Sequence, residues 1–298
     1  MSIIPFDDRD GQIWYDGKLV PWREAKLHVL THALHYASCV FEGERVYNGK
    51  VFKLREHSQR LIDSGRILGF EVPLSLAELE RVTNEVVKAM NIVDGYVRPV
   101  AFRGPEQMGV SAQATKIHVA IAAWQWPSYF SPEARMRGIR MKTSKWARPA
   151  PNTAPTQSKA AGLYMICTMS KHAAEAEGYD DALMLDWRGQ VAEATGANIF
   201  LVINGELHTP KPDCFLDGIT RRTVIELAKA RGIKVVERAI MPDELAKADE
   251  VFLTDSAAEV TPVGEIDDYR FTPGAVTKRL IEDFDRATGK SGAAASAA

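Results

Sequence analysis

The chain has 298 residues, 46% of them hydrophobic, which is enough to bury one large core or two ordinary ones; at roughly 100–200 residues per domain, two domains are expected. A formal net charge of -2 argues against a basic footprint for nucleic acid or an anionic membrane and leaves a small-molecule substrate open. Three cysteines, Cys39, Cys167 and Cys214, with no CxxC pair, argue against a disulfide framework or structural zinc and point to a reducing compartment. The N-terminus has no basic region followed by an apolar run, and no stretch approaches the ~20 apolar residues of a membrane span, so a soluble cytoplasmic protein is expected.

The first half mixes hairpins and helices. Strands at 13–15 and 18–20 flank Asp16-Gly17, and strands at 40–47 and 51–52 flank Asn48-Gly49, both strong hairpin turns. A helix is predicted over 55–68, stopping near Gly69. Ser75 and Glu78 form a capping box for a second helix ending near Met90. Strands follow at 96–103 and 117–124. Trp126-Pro127 through Pro132 then reads as a linker, giving a smaller N-terminal α/β domain at 1–126, a linker at 127–136 and a larger C-terminal α/β domain at 137–298.

The second half opens with a strand at 139–143 and a loop containing Pro149, Pro151 and Pro155, which cannot be helix. Helix is predicted over 159–177, then strands at 182–186, 198–203 and 206–208, a helix over 220–231, strands at 235–236 and 251–254, and a last helix over 275–287. The Ser291–Ala295 tail reads as disordered. No internal repeat is visible.

Five segments have residue types suited to chemistry. Lys159 lies where the proline-rich loop enters the predicted helix, beside the small residues Ala160, Ala161 and Gly162; a Schiff-base lysine needs such a still, partly desolvated place. By spacing alone, a solvated lysine is the plainer reading. Glu193 stands in a small, apolar stretch between predicted strands, where burial requires a cationic partner; it also reads as a turn glutamate in water. Gly218-Ile219-Thr220 at a helix start outlines an anion cup, or an ordinary turn with a threonine cap. Thr254 through Pro262 offers backbone amides after a strand, or a simple strand-end turn. His28, His32 and His35 have helical spacing for a metal, but the segment runs into a strand and lacks a carboxylate at ligand spacing, so no metal site is expected.

Taken together, the motifs His32-Ala33-Leu34-His35-Tyr36, Val40-Phe41-Glu42-Gly43, Tyr96-Val97-Arg98-Pro99, Ala150-Pro151-Asn152-Thr153, Gly218-Ile219-Thr220-Arg221 and Ala257-Ala258-Glu259-Val260-Thr261-Pro262 occur in an order that resembles the class IV pyridoxal-phosphate aminotransferases, specifically the branched-chain amino acid aminotransferases. The resemblance spans Trp14 to about Ala287. It implies a mixed α/β (α+β) two-domain fold with pyridoxal 5'-phosphate between the domains. It implies Lys159 as the Schiff-base lysine, Glu193 as the partner of the pyridine nitrogen, and Tyr164 on the phenolic oxygen. Arg60, Ile219, Thr220 and Ser256 would hold the phosphate. Tyr36, Phe41, Gly43, Tyr96, Arg98, Tyr129, Ala257 and Ala258 would line the substrate pocket. The activity implied is ping-pong transfer of the amino group of L-leucine, L-isoleucine or L-valine to 2-oxoglutarate by a homodimer or higher homo-oligomer, whose partner subunit helps close the pocket. A D-amino acid or amine transaminase, or an aminodeoxychorismate lyase, is the alternative that shares Lys159 and Glu193. Ala37 and Cys39 replace a frequent Gly and Ser, Leu163 a frequent Asn, and Asp255-Ser256 a frequent Gly-Thr.

Overall fold

The computed structural model describes residues 4–126 and 136–290, so the expected linker lies almost wholly outside the described residues, as do Tyr129 and the tail at 291–298. The chain divides into two compact units. One comprises Met1–Pro127 with Ser158–Gly162, the other Ser128–Gln157 with Leu163–Ala298. Residues 158–162, expected in the C-terminal domain, group with the first unit because their backbone is tied to it. Ala160 bridges Val40, and Lys159 hydrogen-bonds through its backbone to Ser64 and Phe41.

The first unit holds strands β1 (Gln12–Tyr15), β2 (Lys18–Pro21), β3 (Cys39–Phe41), β4 (Glu44–Tyr47), β5 (Lys50–Val51), β6 (Gly95–Arg103) and β7 (Ile117–Gln125). It also holds helices α1 (His32–Tyr36), α2 (Leu54–Ile67) and α3 (Leu76–Ala89). The strands run in the order β2-β1-β7-β6-β4-β5, with β3 also on β6. Both predicted hairpin turns form, with Asp16, Gly17, Asn48 and Gly49 all at positive φ. The capping box also forms: Ser75 accepts from the Glu78 N–H while Glu78 accepts from the Ser75 N–H. Leu61, Leu79, Val82 and Val86 from α2 and α3 meet Val97, Ala101, Val119 and Ile121 of the sheet in one buried core. Because side chains alternate along a strand, this leaves Tyr96 and Arg98 on the other face of β6. The expected strand over 40–47 is broken at Glu42-Gly43, so Phe41 ends one strand and Glu44 begins the next.

The second unit holds β8 (Ile139–Thr143), α4 (Met165–Ala176), β9 (Asp181–Leu185), β10 (Val191–Ala194), β11 (Asn198–Ile203), β12 (Glu206–Pro210), α5 (Ile219–Ala230), β13 (Val235–Arg238), β14 (Glu250–Asp255), β15 (Glu259–Ile266), β16 (Tyr269–Arg270) and α6 (Ala275–Thr288). Its sheet runs β10-β9-β8-β15-β14-β11-β12-β13, with parallel and antiparallel pairs mixed. A further β10–β11 pairing joins the ends of the path from β10 to β11 into a closed ring of strands. Two corrections follow. The helix expected from 159 begins later, as a 3-10 turn over Ala161–Tyr164 followed by α4. Glu193, expected between strands, lies within β10. Among the described residues, no helix is long and apolar enough to cross a membrane.

Candidate active site

In the first unit, Lys159 is held extended rather than helical. Its N–H donates to Ser64 Oγ (3.0 Å), its carbonyl accepts from the Phe41 N–H (3.2 Å), and Ser158 Oγ donates to the Ser64 carbonyl (3.0 Å). The backbone is therefore fixed on α2 and β3, and its side chain carries Nζ to 5.1 Å from the centre of the Phe41 ring. The Arg98 guanidinium lies 4.8 Å from the same ring centre and 5.3 Å from that of Tyr96, and Arg98 Nη2 donates to Tyr96 Oη (3.3 Å). An amine and a guanidinium thus share one aromatic ring. A Cβ at position 43 would stand 1.9 Å from Tyr96 Oη, so glycine there is required by Tyr96. Tyr36 is half-exposed and stacks on His32 (ring centres 4.5 Å apart).

Arg60, expected on a phosphate, donates through Nε and Nη2 to Glu42 (2.6 and 2.8 Å). His57 Nδ1 donates to Glu42 Oε2 (2.6 Å). Burial works to raise the Glu42 carboxyl, but the Arg60 charge and the His57 contact outweigh it and hold it well below the usual carboxylate range. Burial, with the Arg60 and Lys159 charges, lowers His57, so the neutral ring donates its Nδ1–H. Glu44 begins β4 two residues on, and burial beside ionised Glu42 pushes its carboxyl well up. Both Glu44 oxygens are buried without a hydrogen bond.

In the second unit, a register shift in the β9–β10 ladder falls between Val191 and Glu193 and sets where Glu193 is aimed. Glu193 is buried between an ion-pair partner and a hydrogen-bond donor. Arg148 Nε lies 3.2 Å from Oε1, and Asn198 Nδ2 donates to Oε2 (3.3 Å). Burial works against the Arg148 charge, and Glu193 more than restores it. Arg148 Nη1 also reaches Cys167 Sγ (3.4 Å). Gly218, not Thr220, is the N-cap of α5, and no side chain caps that helix, so its first N–H groups have no side-chain acceptor. Ile219 and Thr220 are buried there, and Tyr164 ends the 3-10 turn. Thr254 Oγ1 is buried without a hydrogen bond at the end of β14. Beyond it, Ser256, Ala257 and Ala258 form a turn in which Asp255 Oδ1 accepts from the Ala258 N–H (2.5 Å).

His28, His32 and His35 each bond to backbone: His28 accepts from the Leu30 N–H, His32 donates to the Gly109 carbonyl and His35 to the Val29 carbonyl. Among the described residues, the acidic and thiol groups close enough to share an ion are Asp186, Asp213 and Cys214, and Arg188 already bridges the two carboxylates. Burial pushes the Cys39 and Cys167 thiols up to about 11 and Cys214 up to about 12, so none is a nucleophile near neutral pH.

Glu42, His57, Arg148 and Asn198 were not singled out by sequence reasoning. The Val40–Gly43 motif contains Glu42, but no spacing ties Arg148 or Asn198 to Glu193. The donor set suits a phosphorylated pyridine cofactor. Uncapped N–H groups at α5 match an anion, and a buried carboxylate matches a protonated ring nitrogen.

The family described as Amino-transferase class IV matches residues 39–266. The branched-chain-amino-acid aminotransferase of Pseudomonas aeruginosa is 43% identical over 292 residues, 95% of this chain and 95% of that one. The branched-chain amino acid aminotransferase of T.th. with pyridoxamine 5'-phosphate superposes with a TM-score of 0.91 at 41% identity, covering 94% of this chain and 95% of that one. The same enzyme complexed with N-(5'-phosphopyridoxyl)-L-glutamate gives a TM-score of 0.89 at 40% identity, with 94% and 95% covered. The fold is thus that of these enzymes, and the chain belongs to the class IV aminotransferase family.

Proposed function

We propose that the chain transfers the amino group of L-leucine, L-isoleucine or L-valine to 2-oxoglutarate with pyridoxal 5'-phosphate as cofactor, in a ping-pong sequence. The observation that carries this reading is the Phe41 ring, which has Lys159 Nζ at 5.1 Å and the Arg98 guanidinium at 4.8 Å from its centre. Such an arrangement offers an amine for chemistry, an apolar wall for an aliphatic side chain, and a fork for the second carboxylate of glutamate.

Lys159 would hold the cofactor, Glu193 its ring nitrogen and Tyr164 its phenolic oxygen. Arg60, Ile219, Thr220 and Ser256 would hold its phosphate. When bound, the cofactor supplies an aldehyde that receives the amino group and a ring that accepts the electron pair left at Cα. The Lys159 amine takes the proton from the substrate Cα and returns it later as an acid. Glu193, paired with Arg148, would offer its carboxylate to a cationic ring nitrogen. Phe41, Gly43, Tyr96, Tyr129, Ala257 and Ala258 would shape the pocket, with Tyr36 and Arg98 at its edge.

The three free thiols support a reducing, cytoplasmic setting. Exposed Leu27, Val29, Leu30 and Leu34 support assembly as a homodimer or higher homo-oligomer. The test is an amino-donor panel with 2-oxoglutarate and Lys159→Ala as control. Turnover of leucine, isoleucine or valine that is lost in the variant is expected. Failure with all three donors, or turnover only of D-amino acids or amines, rejects the reading.

A further inference from the structure

Asn198 stands where three segments of the second unit meet. Its backbone pairs with Glu193 on β10 on one side and with Thr254 on β14 on the other, and Thr254 leads directly into Asp255-Ser256. The Asn198 side-chain Nδ2 donates to Glu193 Oε2 (3.3 Å) and to the Leu216 carbonyl (3.0 Å), just before the Gly218 N-cap of α5. A Cβ at position 218 would stand 2.2 Å from Asn198 Oδ1, so the helix start is packed against this amide. The residue is 5% exposed, which restricts it to one arrangement.

We infer that Asn198 is a positioning residue that sets the Glu193 carboxylate and the start of α5 in fixed relation, tying the ring-nitrogen end of the cofactor site to its phosphate end. This rests on the reading of Glu193 and of Ile219 and Thr220 given above. The physical reason is the rigidity of the ligand. Ring nitrogen and phosphate are joined through one aromatic ring, so their two holders must be placed to within about 0.5 Å of each other's requirement. One primary amide has two N–H donors, and here each is used by a different holder. Arg148 meets the other Glu193 oxygen, so the carboxylate is oriented from both sides.

The test uses holoenzyme reconstituted with pyridoxal 5'-phosphate and two spectroscopic readouts: the pH midpoint of the absorbance change of the lysine-bound cofactor, and the 31P resonance of its phosphate. Asn198→Leu is expected to move both, and to weaken cofactor binding about 10-fold or more, as loss of an outer hydrogen-bonding partner commonly does. Gly218→Ala, which presses on Asn198 Oδ1 from the phosphate end, is expected to move the midpoint as well. In an Asn198→Ala background the same Gly218→Ala change should leave the midpoint where Asn198→Ala alone puts it. Glu193→Gln serves as the reference. If it shifts the midpoint while Gly218→Ala does not, or while Asn198→Leu moves only one readout or neither, the coupling is overturned. If Glu193→Gln itself leaves the midpoint at the wild-type value, it is the assignment of Glu193 that fails.

Discussion

Arg148 Nε lies 3.2 Å from Glu193 Oε1, and both side chains are almost entirely withdrawn from water. Two opposite charges in such a place stabilise little as a pair, but removing one strands the other. Arg148→Met should therefore cost about 3–5 kcal/mol of unfolding free energy at neutral pH. Arg148→Lys, which keeps the charge but loses the fork, should cost less. Urea unfolding of the three proteins without cofactor measures this directly. A methionine variant as stable as wild type would show that Glu193 does not depend on Arg148.

Gly43 and Tyr96 make the next prediction. With a Cβ only 1.9 Å from Tyr96 Oη, Gly43→Ala must push the phenol away, and with it the partner of Arg98 Nη2. Overpacking of this kind costs about 1–3 kcal/mol. Because Arg98 is the proposed fork for a second carboxylate, the KM for 2-oxoglutarate should rise about 10-fold or more, and that for leucine less. Steady-state kinetics with each substrate varied in turn decides it. Equal changes in both would place Tyr96 and Arg98 outside the recognition of the dicarboxylate.

What was legible in the sequence depended on local signals. Asp16-Gly17, Asn48-Gly49 and the Ser75–Glu78 box dictate their own backbone, and all three appear as expected. Lys159-Ala160-Ala161 carries helix-forming residues, yet the bridge of Ala160 to Val40 and the Ser64 bonds pull it straight, a tertiary override of propensity. β15 was missed because Pro262 lies inside it, opposite Phe252, and proline argues against an inner strand. β10 is short and irregular in register, with no clear alternation to find. The roles of Lys159 and Glu193 came from motif order. The contacts around them did not, because Arg148 and Asn198 reach Glu193 only once the strand ring closes.

Ala37 ends α1 at φ 54, in the left-handed region. A Cβ there costs about 1–2 kcal/mol, while replacing alanine with glycine loosens the unfolded chain by about 0.4–1 kcal/mol. Ala37→Gly should therefore stabilise the protein by up to about 1.6 kcal/mol, visible as a higher urea midpoint with an unchanged slope. A loss of stability would mean that the Ala37 methyl, which lies near position 162, contributes more packing than strain.

Glu44 gives a prediction with a definite pH sign. Its carboxyl is pushed well above 4.5 by burial and by ionised Glu42, so the folded protein keeps a proton that the unfolded chain releases. A raised acid is stabilising only below its unfolded value, and stability is lost as pH rises from about 4.5 toward the folded value. Both oxygens also lack a hydrogen bond, a deficit of about 1–3 kcal/mol for a buried polar group. Glu44→Leu should therefore stabilise the protein, and by more at pH 8 than at pH 5. His57 runs the other way: lowered below 6.5 by burial, it withholds stability as pH falls through that value in wild type and variant alike, so it cancels from the difference. Urea midpoints of both proteins across this range test the claim. A gain that is constant with pH would mean that Glu44 keeps the same charge folded and unfolded.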